Sequence, residues 1–211
     1  MSLRAAARWK GSPSAALTAA SSWKGGTPPL LQKLRPRAYL PSIEHLDLDA
    51  LRGVGIEGVI LDLDNTLVPW RDPRAPEELL AWVRRLEAHG FKACILSNGR
   101  RRRVAAFSAA LGVPGVCGAK PGRAGFRRAL ALLGTPPSRT AVVGDQVFTD
   151  VLGGNRLGLH TILVAPRSAR ELGFTRLMRL LEALVLRAMA RRGWVELLPR
   201  PSKARAASGA E

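Results

Sequence analysis

The sequence predicts a three-layer α/β fold, a mostly parallel sheet between helices, and three observations lead there. Short apolar runs alternate with stretches of helical periodicity. Each run is apolar throughout rather than at every second position, as in strands covered on both faces. Each is followed by a polar or glycine-rich turn, so chemistry is concentrated at the strand ends.

Ordered sequence is expected from about Leu30, because LLQKLRPRAYLPSIEHLDLDAL carries regularly placed apolar anchors. The expected strands are Gly58 to Leu63, Lys92 to Leu96, Val113 to Cys117, Thr140 to Val143 and His160 to Val164. Helices are expected between them, at Pro76 to His89, Arg101 to Leu111, Arg123 to Leu133 and Phe148 to Leu157. The first of these opens with a proline and two acids, which suit a helix start. Cys94 and Cys117 lie in apolar stretches with no second ligand at metal spacing, and read as core residues of a reducing compartment.

Length and composition fit one domain with tails, since 211 residues at 46% hydrophobic can bury a substantial core. The charge is less ordinary. A net +17 is unevenly spread: residues 1–43 hold seven basic and no acidic side chains, 44–165 hold 16 and 12, and 166–211 hold ten and four. The excess therefore sits in the flanks, which points to an anionic partner surface (acidic lipid, nucleic acid or ribosome) or to solubilising tails. No run of 18 apolar residues occurs, so a membrane-spanning helix is not expected.

The expected organisation is a basic extension over 1–29, a domain over 30–194 and a disordered tail over 195–211. The acid-free first 28 residues read as disordered, as an organelle presequence, or as the product of a start codon placed too early. Near the other end, TRLMRLLEALVLRAMARRGW predicts an amphipathic helix over 175–192. It sets Arg176, Arg179, Arg187 and Arg191 on one side and Leu177, Leu181, Leu184, Val185 and Met189 on another. Trp194 follows. Such a helix suits an anionic bilayer interface, packs on the domain, or does both.

The residues at the strand ends form a coherent set. Asp62-Leu-Asp64-Asn-Thr66 follows the first strand, Ser97-Asn98 the second, Lys120-Pro121 the third, and Gly144-Asp145 through Asp150 the fourth. Strand side chains alternate, so Asp62 and Asp64 can share one site. Close carboxylates repel, and a shared proton or a cation relieves them. With Asp145 and Asp150 they would make an oxygen-rich cluster suited to magnesium; buried salt bridges are the alternative.

This ordered set resembles the four motifs of the haloacid dehalogenase-like (HAD) hydrolases. ILDLDNTLVPW, GDQVFTDVLGGNRLGLHTILV and LLQKLRPRAYLPSI look like the YqeG-type subfamily IIIA phosphatases, a resemblance over about residues 30–194. It implies a Rossmann-like fold and a Mg2+-dependent phosphomonoesterase. Asp62 matches the nucleophile that becomes an aspartyl-phosphate, and Asp64 the general acid and base whose backbone carbonyl faces the metal. Thr66 matches a residue that orients the loop and helps hold phosphate. Ser97 and Asn98 match the phosphoryl-binding motif, Lys120 the charge-offsetting lysine, Asp145 a metal ligand, and Asp150 a supporting acid behind it. Gly99, followed by Arg100 to Arg103, departs from the usual polar residue after Ser-Asn. That basic run is either a solvated helix start or an attractor of anionic substrate.

Only about 32 residues separate Thr66 from Asn98 and about 21 separate Asn98 from Lys120, so there is no room for a substantial cap domain. An open site favours a large substrate or a surface. The resemblance implies phosphatidylglycerophosphate, dephosphorylated to phosphatidylglycerol by a cytoplasmic protein peripheral to the inner face of the membrane, or by a matrix protein if a presequence is present. The alternatives are a phosphoprotein or nucleotide phosphatase and a ribosome- or RNA-associated factor. Against RNA, one Tyr and five Phe form no aromatic-basic stripe.

Overall fold

A computed structural model describes residues 29–168 and 173–198. Its centre is a six-stranded sheet in the order β1-β6-β5-β2-β3-β4, and every neighbouring pair is parallel. The strands are β1 (Ala38–Leu40), β2 (Gly58–Leu61), β3 (Lys92–Ser97), β4 (Gly115–Cys117), β5 (Thr140–Gly144) and β6 (His160–Val164). The helices are α1 (Pro29–Lys33), α2 (Leu48–Gly53), α3 (Glu77–Ala88), α4 (Arg101–Leu111), α5 (Arg123–Leu133), α6 (Leu152–Asn155) and α7 (Gly173–Ala190).

Alternation along the strands divides the core in two. Val59 and Leu61 of β2, Ala93 and Ile95 of β3, and Ala141 and Val143 of β5 face one cluster. Ile60, Cys94, Leu96 and Val142 face the other. Against the first lie α3, through Leu79, Trp82, Val83 and Leu86, and α4, through Val104, Phe107 and Leu111; Phe126, Ala129 and Leu133 of α5 close the second. These are the i, i+3, i+4 positions of amphipathic helices. Burying each large apolar side chain contributes about 1.5–3 kcal/mol, so the layers fix the strand ends firmly.

The structure departs from the sequence expectations in four places. β1, at the sheet edge, was not anticipated; three residues after Arg35 and Arg37 carry too little pattern to signal a strand. The helix expected from Phe148 begins instead as a π-helical turn over Val147–Val151, continued by α6. Cys117 is exposed at the end of edge strand β4, where Sγ donates to the Gly99 carbonyl at 3.1 Å; only Cys94 is a core thiol.

The fourth concerns α7. Glu182, Val185, Leu186 and Met189 form its docked side, against Leu34, Val147, Val151 and Leu163. Leu180, Leu181 and Leu184 remain exposed, alongside Arg187 and Arg191. The expected segregation of leucine from arginine is therefore incomplete, and the outer face mixes the two. Trp194 is half-buried with the Arg35 guanidinium 4.8 Å over its ring. The side chains of Arg176, Leu177 and Arg179, and the expectations on residues 1–28 and 199–211, lie outside the described residues. Among the described residues no helix is long and apolar enough to cross a membrane, and no separate cap domain interrupts the chain.

Candidate active site

The carboxyl ends of β2, β3, β4 and β5 converge. Asp62 continues the β2 ladder, its N–H donating to the Val143 carbonyl at 2.9 Å, and its carboxylate is thereby aimed over the centre of the sheet. Asn65 then takes a left-handed conformation (φ 66°), which asparagine tolerates better than most side chains. That reversal is pinned from outside: Asn65 Oδ1 accepts from Ser168 Oγ at 2.6 Å, and the Asn65 carbonyl accepts from Arg167 N at 3.0 Å.

Asp62, Asp145 and Asp150 are buried, and each offers a carboxylate oxygen within 4.8 Å of the others. Lys120, also buried, donates through Nζ to Asp62 Oδ1 and, at 2.6 Å, to Asp150 Oδ1. Thr66 Oγ1 lies 3.2 Å from both Asp62 Oδ2 and Asp145 Oδ1, bridging the first and fourth motifs. Three carboxylates against one ammonium leave excess negative charge, and the donors are all oxygen. That set fits a hard divalent cation. Burial pushes the Asp62 carboxyl up to about 7; Lys120 opposes the rise, and repulsion from Asp150 and Asp145 adds to it. Lys120 is held cationic, with Asp150 and Asp62 outweighing the effect of burial.

Asp150 reaches the cluster through the π-helical turn. Its Oδ2 accepts from Gln146 N at 3.2 Å and Thr149 Oγ1 at 3.3 Å. Gly144 is what admits it, since a Cβ there would stand 2.2 Å from Asp150 Cγ. π turns inside helices recur at functional sites, where one extra residue re-aims a side chain.

Asp64 stands apart from this cluster. Its Oδ1 accepts from Arg103 Nη2 at 2.9 Å, Arg103 Nε at 3.2 Å and Arg71 N at 3.2 Å. Its Oδ2 faces Gly99, where an added Cβ would lie 3.3 Å from Oδ2 and 3.2 Å from Ser97 Oγ. Ser97 Oγ accepts from Gly99 N at 3.1 Å, which leaves the hydroxyl proton to donate elsewhere. Asn98 is engaged with the neighbouring loop: Oδ1 accepts from Lys120 N at 2.7 Å and Nδ2 donates to the Lys120 carbonyl at 3.1 Å. It thereby ties the end of β3 to the lysine.

Two further residues carry the site from a distance and were not singled out in the sequence. Glu182 of α7, buried, accepts from Val147 N at 2.7 Å and holds the start of the π turn that carries Asp150. A lone acid on the apolar side of an amphipathic helix was the available signal. Arg167 Nε donates to the Thr66 carbonyl at 2.8 Å, for which the sequence gives no local sign.

The HAD-hydrolase-like family model matches residues 116–171, the span that supplies Lys120, Asp145 and Asp150. The probable phosphatase YqeG of Bacillus subtilis (strain 168) is 40% identical over 162 residues, 76% of this chain and 94% of that protein. The chain belongs to the YqeG family of HAD-like phosphatases. Other similar proteins include phosphatidylglycerophosphate phosphatase 1, chloroplastic, of Chlamydomonas reinhardtii, 36% identical over 142 residues, 62% of this chain and 52% of that protein. The chloroplastic/mitochondrial phosphatidylglycerophosphate phosphatase 1 of Arabidopsis thaliana is 28% identical over 179 residues, 77% of this chain and 50% of that protein. The chain thus spans about half the length of these two. As a YqeG-family member it is a phosphatase, and the acids at the ends of β2 and β5 are where its chemistry is sought.

Proposed function

We propose that this phosphatase is a magnesium-dependent phosphomonoesterase that works through an aspartyl-phosphate on Asp62, and that it converts phosphatidylglycerophosphate to phosphatidylglycerol. The observation that carries the chemistry is the buried arrangement of Asp62, Asp145 and Asp150 around Lys120. The two relatives that bear the name phosphatidylglycerophosphate phosphatase support the substrate.

An Asp62 carboxylate oxygen attacks phosphorus, and the bond from phosphorus to the leaving oxygen breaks. Asp64, engaged by three donors at Oδ1, has Oδ2 left to give a proton to the departing alkoxide. The same group then takes a proton from water, which attacks the aspartyl-phosphate, frees inorganic phosphate and restores Asp62. Ser97 Oγ and the backbone of the Asn98 loop donate to the phosphoryl oxygens, and Lys120 offsets the charge shared by nucleophile and phosphate. Thr66 orients Asp62, and Asn98 keeps Lys120 in place. Bound Mg2+, held by Asp62, Asp145 and the Asp64 carbonyl with Asp150 behind, would supply a fixed positive charge against the phosphate.

An anionic membrane surface is the partner in this reading. Its support is the outer face of α7, where exposed Leu180, Leu181 and Leu184 sit with Arg187 and Arg191, a mixture suited to the headgroup layer. The test presents purified protein and Mg2+ with phosphatidylglycerophosphate in mixed micelles, beside nucleotides and a phosphopeptide, and measures released phosphate. Preferred turnover of the lipid is expected. Brisk turnover of a nucleotide or phosphopeptide without release from the lipid would contradict the substrate.

A further inference from the structure

Arg103 is the one member of the basic run Arg100 to Arg103 that the fold aims at the chemistry. Arg100, Arg101 and Arg102 are exposed, whereas the Arg103 side chain is only 17% exposed, and its guanidinium lies 4.8 Å over the Phe107 ring. A guanidinium carries five N–H donors. Nε and one Nη2 proton go to Asp64 Oδ1, and one Nη1 proton goes to the Asp72 carbonyl. One donor on each terminal nitrogen has no acceptor among the described residues, and such a pair suits two oxygens of a phosphate.

Its position fixes which phosphate. Because Oδ1 of Asp64 is occupied, the leaving oxygen must approach Oδ2, which faces Gly99 on the side of Ser97. The alcohol portion of the substrate therefore departs beside Asp64, with the Arg103 guanidinium immediately next to it, while the transferring phosphoryl group lies deeper, against Asp62 and Lys120. A charge on the leaving alcohol would meet Arg103; a charge on the transferred group would not.

We propose that Arg103 recognises a second anionic group, a phosphodiester, on the leaving-group side of the substrate. The proposal rests on the phosphatase reading above and deepens it: the preferred phosphomonoester is one whose alcohol already carries a phosphodiester. An arginine that only held Asp64 in place would serve every substrate alike. An arginine that also binds the second anion discriminates between substrates.

The test uses a matched, water-soluble pair: glycerol 3-phosphate, and the same glycerol monophosphate whose far hydroxyl bears a glycerol phosphodiester. kcat/KM is measured for wild type, Arg103→Gln and Arg103→Lys, with melting temperatures to show that each variant is folded. Wild type is expected to prefer the diester-bearing member, and Arg103→Gln to reduce that preference about 10- to 100-fold, mainly through KM. Arg103→Lys, which keeps the charge but loses the fork, should fall between them. A wild type without the preference, or an Arg103→Gln loss equal for both members, would overturn the proposal. The lipid reading fails separately, if intact phosphatidylglycerophosphate is turned over no better than nucleotides while the soluble pair still behaves as expected.

Discussion

The Asn98 side chain and the Lys120 backbone form a reciprocal clamp, with Oδ1 accepting from Lys120 N at 2.7 Å and Nδ2 donating to the Lys120 carbonyl at 3.1 Å. Both ends of the amide are used, so the end of β3 and the loop after β4 are locked together. The lysine ammonium is thereby placed between Asp62 and Asp150 by a residue that need not touch phosphate. Asn98→Ala should lower kcat by about 10²-fold, the cost of displacing a catalytic group by roughly an ångström. Steady-state kinetics on any accepted phosphomonoester reads this; an unchanged kcat would mean that Lys120 holds its position without the clamp.

Gly144→Ala tests the other side of the cluster. The added Cβ would fall 2.2 Å from Asp150 Cγ, so either the π turn or the carboxylate must move. We expect a loss of stability of about 1–3 kcal/mol, as for overpacking elsewhere, together with loss of turnover. Urea midpoints and phosphate release together check it, and a variant with wild-type values in both would refute the stated role of the glycine.

Much of this arrangement was legible in the sequence, and the reason is local. The buried stretches of β2, β3 and β5 are mostly apolar on both faces, and polar residues stand at or just beyond the carboxyl ends of β2, β3, β4 and β5, so Asp62, Ser97, Lys120 and Asp145 could be placed at one edge of the sheet from pattern alone. What escaped depends on partners far along the chain. Arg103 reaches back 39 residues to Asp64, Glu182 reaches 35 to Val147, and Arg167 reaches 101 to Thr66. None of those pairs has a spacing signature. The π turn escaped because one extra residue in a helix leaves the hydrophobic period nearly intact.

Cation binding should be linked to protons. With the Asp62 carboxyl raised to about 7, the resting protein holds a proton there below that pH, and a bound cation displaces it. Mg2+ affinity should therefore rise with pH up to about 7 and then level off. Titration calorimetry at pH 6.5 in buffers of different ionisation enthalpy measures the released proton. A buffer-independent heat would argue against a protonated Asp62, and Asp62→Asn should abolish the release.

His160 gives the fold its own pH dependence. It is buried on β6, Nε2 has no hydrogen-bond partner among the described residues, and burial with the nearby Arg37 charge lowers its pKa from 6.5 to about 4. The folded state thus binds fewer protons than the unfolded chain. The stability it contributes is complete above about pH 6.5 and is lost as pH falls toward 4, a change on the order of 3 kcal/mol. Urea unfolding of wild type and His160→Gln at several pH values isolates it: the difference between the two proteins should shrink as the pH drops. A constant difference would contradict the assignment.

In the proposed reaction Asp62 is the group that carries the phosphoryl. Rapid acid quench of the enzyme turning over an accepted phosphomonoester labelled with 32P in the transferred phosphate, followed by peptide mapping, observes that group directly. A hydroxylamine-sensitive label on the peptide containing Asp62, absent from Asp62→Asn, is the predicted result. Label on another residue, or an Asp62→Asn enzyme that still releases phosphate at the wild-type rate, would contradict it.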